Sequence, residues 1–383
     1  MSNENTFKVW NWHNPTSVLC GVHACKEIHF PSGVETILIV TTVRGREQAR
    51  DYHLFSDEAL NVIWLDTITP NPSLNFLREA IKDLRKYKFE AVVGFGGGSS
   101  LDAAKVLSAV LNQKNTDVDL QKYISEPNLL DPRCKIPMYA VPTTFGTGSE
   151  VTPFATVWDT KLKKKLSLVS DILFPEFAFV DPKLSLNTPK SVIYSTGLDA
   201  LNQAFESIWN KNATELTKSL ATTAISKALI ALDDISNDVN LDSSRLLMAE
   251  SSLLAGMCIS QTRTAVCHSI SYPLTAHFQI PHGFACAFTM LEVAKIVSLE
   301  APQLFNELSL KAGFISSGKL IETLRSVLMK TNLAAEINQK IKSKESLINF
   351  SSEMLTLGRS DNFILDLDDD LIIKILLRSF KNI

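Results

Sequence analysis

Residues 267–283, CHSISYPLTAHFQIPHG, hold three of the chain's seven histidines: His268, His277 and His282. Imidazole titrates near neutrality and binds divalent metals, so such a gathering is either loop packing or a ligand set. Upstream, TGLDALNQAFES places Asp199 and Gln203 four positions apart, on one face of the helix this segment is expected to form. Alone, that pair reads as a solvated helix face. With His268, and with His282 held between Pro281 and Gly283, it becomes a carboxylate, carboxamide and imidazole set suited to a divalent first-row metal, iron(II) first and zinc second. Tyr272 stands one helical turn after His268. It is either a packed aromatic before Pro273 or a phenol whose proton a nearby cation would loosen.

Two turns of small residues suggest a second ligand. VVGFGGGSSLDAAK (92–105) carries Gly96, Gly97, Gly98, Ser99 and Asp102 between a strand pattern and a helix pattern. Glycines there let a ligand approach the backbone, and the following helix offers free N–H groups to an anion such as a diphosphate. A plain tight turn would use the same residues. No Gly-Lys-Ser/Thr follows, so it is not a Walker loop, and the spacing departs from GxGxxG with a later acidic ribose ligand. PTTFGTGSEVT (142–152) adds the hydroxyls of Thr143, Thr144 and Thr147. Two such loops after two strands lie at the edge where open α/β sheets bind ligands, so a nucleotide-binding first domain is expected.

Taken together, GGGSSLDAAK, PTTFGTGSEVT, GLDAL and the HSISYPL…PHG block, with His268 and His282 fourteen positions apart, resemble the iron-containing (group III) alcohol dehydrogenase family along nearly the whole chain. The resemblance implies that the GGGS turn binds a cofactor diphosphate, that the threonine loop runs beside the nicotinamide, and that Lys165 contacts the cofactor. It also implies reversible hydride transfer between NAD(P)H and an aldehyde or ketone polarised by the metal, with Tyr272 or a water protonating the alkoxide. Asp199, His268 and His282 match three of the family's four ligands. Gln203 stands where the family has histidine, and Tyr272 where many members have a proton-relaying histidine. His277 matches no ligand position and is expected to be structural or to line a pocket.

The form of the cofactor and the substrate are argued from single positions. Many NAD-preferring relatives place an acidic residue after the first strand; here IVTTVRGR puts Thr42 there, with Arg44 and Arg46 behind it. With no carboxylate to repel a 2′-phosphate, NADP(H) is expected alongside NAD(H). SEVTPFATVWD, AFESIWNKNAT and HSISYPLT are similar to the phosphonoacetaldehyde reductase subgroup, which implies reduction to 2-hydroxyethylphosphonate. Arg263, in ISQTRTAVCH, would clamp the anion, or would be an ordinary solvated helix arginine. The alternatives are a short-chain alcohol or lactaldehyde-type dehydrogenase, a dehydroquinate-synthase-like lyase using NAD, and a non-catalytic nucleotide-binding relative in which Gln203 has abolished the metal site.

The elements that must position these residues follow from hydrophobic pattern. ETILIVTT (35–42), NVIWLD (61–66), FEAVVGFGGG (89–98) and IPMYAVPTT (136–144) read as buried strands. Leu74, Leu77, Ile81 and Leu84 recur at helical spacing in 73–88, and SSLDAAKVLSAVLNQ begins a helix at its serines. Strands alternating with helices predict a Rossmann-like α/β domain over 1–185 with a mostly parallel sheet. From about Thr188 the pattern is helical throughout, which predicts an all-helical metal and substrate domain over 186–383.

Composition narrows the partners. A formal charge of −3 gives no attraction to nucleic acid or an anionic membrane, and the lysines at 161 and 163–165 read as a solvated hairpin or loop. Six cysteines form no CxxC pair, the N-terminus lacks a signal-peptide pattern, and no apolar run looks long enough for a bilayer. A cytoplasmic soluble protein acting on a small aldehyde or alcohol, and forming a homodimer as relatives do, is expected.

Overall fold

A computed structural model describes residues 9–115, 119–161, 164–237 and 241–382. Its first part is a six-stranded, all-parallel sheet of β1 (Ser17–Cys20), β2 (Thr36–Val40), β3 (Asn61–Leu65), β4 (Ala91–Gly96), β5 (Met138–Pro142) and β8 (Phe177–Val180). The spatial order is β1-β8-β5-β4-β2-β3. β2, β4 and β5 are almost wholly buried, which is why they read as continuous apolar runs rather than alternating ones. The antiparallel hairpin of β6 (Phe154–Asp159) and β7 (Lys164–Val169) stands apart from this sheet.

Helices α1 (Val43–Asp51), α2 (Leu74–Leu84), α3 (Gly98–Val110) and the short α4 (Leu120–Ser125) accompany the sheet. The signals read for α2 have physical counterparts, whereas β3, read as a buried strand, is only half-buried at the sheet's edge. The Ser73 hydroxyl caps α2 by accepting from the Phe76 N–H, and Leu74, Leu77, Ile81 and Leu84 are the buried stripe. Cutting Leu77, which is fully buried, to alanine would cost about 2–5 kcal/mol. Because β2 and β4 are neighbours but their connections leave in opposite directions, the crevice between their carboxyl ends is the sheet's switch point.

After Ser185 the chain turns helical. α5 (Lys190–Ile208), α6 (Glu215–Ser236), α7 (Leu241–Thr262), α8 (Val266–Phe278) and α9 (His282–Glu300) form a bundle. α10 to α14 (Pro302–Lys311, Ser317–Lys330, Leu333–Lys340, Lys344–Ile348 and Asp369–Lys381) complete it. α5 runs through the middle, and Phe205 and Trp209 stack at its buried end with centroids 5.1 Å apart. α9 corrects one expectation. By length and hydropathy alone it could cross a membrane, yet 78% of that stretch is buried, so it reads as the bundle's core helix.

The two parts share a core that includes Phe145, Val151 and Val180, and at two points they meet through glycines. Gly148 adopts φ 59°, and a Cβ built on it would lie 2.3 Å from the Cα of Gly256 in α7. One built on Gly146 would lie 2.5 Å from the Thr196 carbonyl oxygen of α5. The glycines of the second loop are therefore needed for close approach, as well as for the turn.

Candidate functional site

Register brings the two glycine loops together. Gly96 of β4 pairs with Pro142 of β5, and the Thr143 N–H donates to the Gly96 carbonyl at 3.0 Å. Added Cβ atoms on Gly97 and Gly98 would lie 2.9 and 2.6 Å from Thr144 Oγ1 and Thr147 Cγ2, so the first loop rests directly on the second. No side chain caps α3, and this leaves its first N–H groups facing the cleft, as an anion site requires.

One cleft runs from this helix end to the histidine segment. Gly98, Ser99, Asp102, Thr144 and Thr147 line one end, and Asp199, Gln203, His268 and His282 the other; Lys165, Arg263 and Tyr272 also line it. Four predicted residues are not among the lining. Gly96, Gly97 and Thr143 support the loops from behind, while the Thr42 hydroxyl caps α1 by accepting from the Gly45 N–H at 2.9 Å. Asp102 faces the cleft but spends both oxygens on the protein, accepting from Ser149 Oγ at 2.6 Å and the Thr156 N–H at 2.8 Å. It positions the second loop and the hairpin.

The two arginines read as attracting a 2′-phosphate already have partners. Arg46 pairs with Asp66 at the end of β3, Nη1 to Oδ2 2.7 Å, and stacks on Trp64. Arg44 donates to the Asn187 carbonyl at 2.6 Å. A carboxylate is present at this edge after all; it arrives from the neighbouring strand, where inspection of the first strand alone could not find it. The lysine cluster does belong to a hairpin, that of β6 and β7, but one of its members is not simply solvated. Lys164 and Lys165 lie on β7, Lys163 is outside the described residues, and Lys165 turns inward, its ammonium 4.5 Å from the Tyr272 ring centre.

At the far end, α5 and α9 are pressed together. A Cβ on Gly283 would sit 1.7 Å from the Ser195 carbonyl oxygen, so glycine at 283 sets how closely His282 approaches Asp199. Asp199, His268, His282 and Cys286 place one donor atom each within 4.8 Å of one another, and all but His282 are fully buried. Glu206, which the sequence reading missed, orders this group. Its carboxylate accepts from the N–H groups of Ala265 and Cys267 at 2.7 and 2.6 Å, fastening the start of α8. It also accepts from His268 Nδ1 at 2.7 Å. Asp199, Gln203 and Glu206 follow i, i+4, i+7 spacing on α5, the signal that could have found it.

This geometry tests the metal directly. His268 Nδ1 pairs with Glu206 and its Nε2 lies 3.2 Å from Asp199 Oδ1. Burial opposes a charged His268, but the acidic neighbours hold its pKa well above the usual value, so a proton on Nε2 bridges the pair when no metal is bound and a divalent metal would take that proton's place. Burial, then the Lys165 charge, hold His282 down to about 3, which keeps its imidazole in the neutral, ligating form. Gln203 Oε1 is buried with no hydrogen-bond partner among the described residues. The residues present fit a divalent metal.

The wall between the two ends is cationic. Arg263 is not on a solvated helix face: it follows α7 at φ 63°, with its guanidinium 4.9 Å from the Phe154 ring centre and Nη1 buried without a partner. Thr275 Oγ1, also in the cleft, is likewise unpartnered. Burial first, and the Arg359 charge second, hold Arg263 below its ordinary pKa. Arg359, also missed from sequence, donates from Nε to Tyr272 Oη at 3.1 Å. Burial would raise the Tyr272 phenol, but Lys165 and Arg359 outweigh it and leave the pKa lowered. His277 lies away from the ligands, bonded to Glu353 at 2.9 Å and stacked on Phe350.

Comparison with known proteins agrees with this arrangement. Residues 15–182 match the description "Iron-containing alcohol dehydrogenase", and residues 193–350 match "Fe-containing alcohol dehydrogenase family, C-terminal". The phosphonoacetaldehyde reductase of Streptomyces viridochromogenes is 35% identical over 211 residues, which are 55% of this chain and 53% of that one. Long-chain-alcohol dehydrogenase 1 of Geobacillus thermodenitrificans is 31% identical over 276 residues, 71% of this chain and 66% of that one. The matched segment thus spans about half the length of the first relative and about two thirds of the second. Among solved structures, sulfoacetaldehyde reductase from Bifidobacterium kashiwanohense in complex with NAD+ superposes with a TM-score of 0.87 at 26% identity, covering 98% of this chain and 99% of that one. With two family descriptions matched across both halves of the fold, the chain belongs to the iron-containing alcohol dehydrogenase family.

Proposed function

We propose that the chain reduces a short aldehyde with an anionic tail to a primary alcohol, using NAD(P)H and a divalent metal. The observation that supports this reading is the shared cleft: an uncapped helix end for a diphosphate, a donor cluster for a metal, and between them the guanidiniums of Arg263, whose buried Nη1 has no partner among the described residues, and Arg359. A divalent metal held by Asp199, Gln203, His268 and His282 would polarise the carbonyl. The remaining work falls to the chain's own groups. The two loops hold the cofactor against the wall formed by α5 and α7, and Glu206 keeps His268 in one tautomer. Tyr272, its phenol loosened by Lys165 and Arg359, gives the Oη proton to the alkoxide oxygen.

The anionic tail is argued from Arg263 and Arg359. Two guanidiniums facing one cavity, with a buried N–H unpaired, call for an anion between them. The names of two relatives, phosphonoacetaldehyde and sulfoacetaldehyde reductase, describe two-carbon aldehydes carrying such a group. A charge-assisted hydrogen bond contributes about 1.5–3 kcal/mol, so the preference over an uncharged aldehyde should be roughly 10–100-fold.

A panel of phosphonoacetaldehyde, sulfoacetaldehyde, acetaldehyde and propanal, run with NADH and NADPH on metal-analysed protein, tests this. An equal or better kcat/KM for propanal overturns the anionic-tail reading. Cofactor binding without turnover would point to a non-catalytic relative, and turnover without net NAD(P)H consumption to a lyase. The same reading takes the chain to work as a homodimer without nucleic acid or membrane, and a light-scattering mass of two chains checks the assembly.

A further inference from the structure

We propose that Cys286 is a metal ligand, supplying through Sγ the strong fourth donor that Gln203 does not. This rests on the metal reading above and adds a residue to it.

The placement follows from two helices that mirror each other. Asp199 and Gln203 are one turn apart on α5, and His282 and Cys286 are one turn apart on α9. Gly283 clamps the helices together against the Ser195 carbonyl, and Asn202 Nδ2 donates to the Cys286 carbonyl at 3.3 Å, fixing the register. The outcome is a thiol 3.8 Å from His282 Nε2, inside a cluster whose four donor atoms lie within 4.8 Å of one another. Donors at about 2.0–2.3 Å from a tetrahedral ion sit roughly 3.3–3.8 Å apart. Both the 3.2 Å His268–Asp199 separation and the 3.8 Å cysteine–histidine separation are close to that range.

Surroundings separate this thiol from an ordinary core cysteine. Cys258 is also fully buried, but its sulfur donates to a backbone carbonyl, that of Thr217, and belongs to no donor cluster among the described residues. Cys286 faces the other three donors of the cluster instead. Ligand chemistry then says what the exchange does. A carboxamide is a weak, hard donor, and a thiolate is a strong, soft one that favours zinc over metals preferring oxygen. Carboxylate, two imidazoles and a thiolate form a set that binds zinc firmly, and the site becomes selective for it over iron.

Cobalt(II) tests this, since it occupies zinc sites and reports sulfur through a near-ultraviolet thiolate charge-transfer band. The full-length chain, stripped with a chelator and titrated with cobalt(II), should show that band together with visible ligand-field bands. Cys286→Ser should abolish the charge-transfer band, keep the visible bands, and weaken zinc binding by more than about tenfold, because even partners outside the metal shell carry 10–100-fold. The other five cysteines remain in that variant, so loss of the band assigns the sulfur. X-ray absorption of the zinc-loaded wild-type chain should show one sulfur scatterer at about 2.3 Å, and needs no variant to fold. Visible bands without charge transfer, or a sulfur-free zinc shell, would overturn the ligand and leave the metal site standing. Absence of any bound cobalt or zinc would overturn both.

Discussion

Gly283→Ala is the sharpest test of how the site is assembled. The new Cβ would start 1.7 Å from the Ser195 carbonyl oxygen and 2.6 Å from its carbonyl carbon, both backbone atoms of α5. Non-bonded heavy atoms settle near 3.5 Å, so α9 must retreat by about 1.5 Å or more at this point. His282 is the adjoining residue and moves with it. Metal sites tolerate about 0.2 Å in ligand distance, so the shift exceeds that tolerance several-fold. Misplacement by about 1 Å costs catalysis roughly 10²-fold, and overpacking lowers stability by about 1–3 kcal/mol. The expected result is a folded chain that has lost most of its metal and at least about 99% of its kcat/KM, while NADH still binds, because the loops lie at the opposite end of the cleft. Elemental analysis, fluorescence titration with NADH and steady-state kinetics measure the three quantities. Gly318→Ala is the control, since its added Cβ meets nothing closer than Ser316 Oγ at 3.8 Å. Full metal content with activity within about threefold of wild type would refute the claim that this contact sets the site's geometry.

Two further outcomes follow from other parts of the fold. Burial pushes Glu150 up to about 7 from 4.5, so the folded chain holds that proton more tightly than the unfolded one. The associated stability is complete below pH 4.5 and declines to a loss of about 3 kcal/mol above pH 7. Glu150→Gln should therefore gain Tm over wild type progressively between pH 5 and 7.5, and a gap that does not change with pH would show the carboxyl is not titrating there. Asp66→Asn should release Arg46 from its 2.7 Å pair and raise the NADPH-to-NADH ratio of kcat/KM several-fold. An unchanged ratio would place the ribose away from this edge.

Much of the fold was legible because burial writes itself into sequence. β2, β4 and β5 are enclosed on both faces, so every position is apolar or small and the run is continuous. β1 and β8 carry no such signal. Each has only four residues, and β1 is largely exposed at the sheet's edge, so SVLC shows neither alternation nor a long apolar run. In the site, the residues proposed to hold the metal are marked by spacing within single segments. Glu206 could have been reached by extending the Asp199–Gln203 spacing one turn further. Arg359 could not, since it meets Tyr272 across 87 residues from an irregular segment. Arg263 was legible as a residue type but not in its direction, because its left-handed backbone turns it off the helix and into the cleft. Asp66 was visible, but only strand pairing shows that it answers Arg46.

The contact of Gly148 with Gly256 has a consequence for how such an enzyme can change. At these two glycines the halves touch main chain against main chain, so no rotamer at that point can relax, while side chains such as Phe145 and Val151 pack between the halves elsewhere. In the function proposed above, that close contact would help hold the cofactor end of the cleft at a fixed distance from the metal end, and Arg263, Thr275 and Arg359 are the residues whose exchange would admit a different aldehyde.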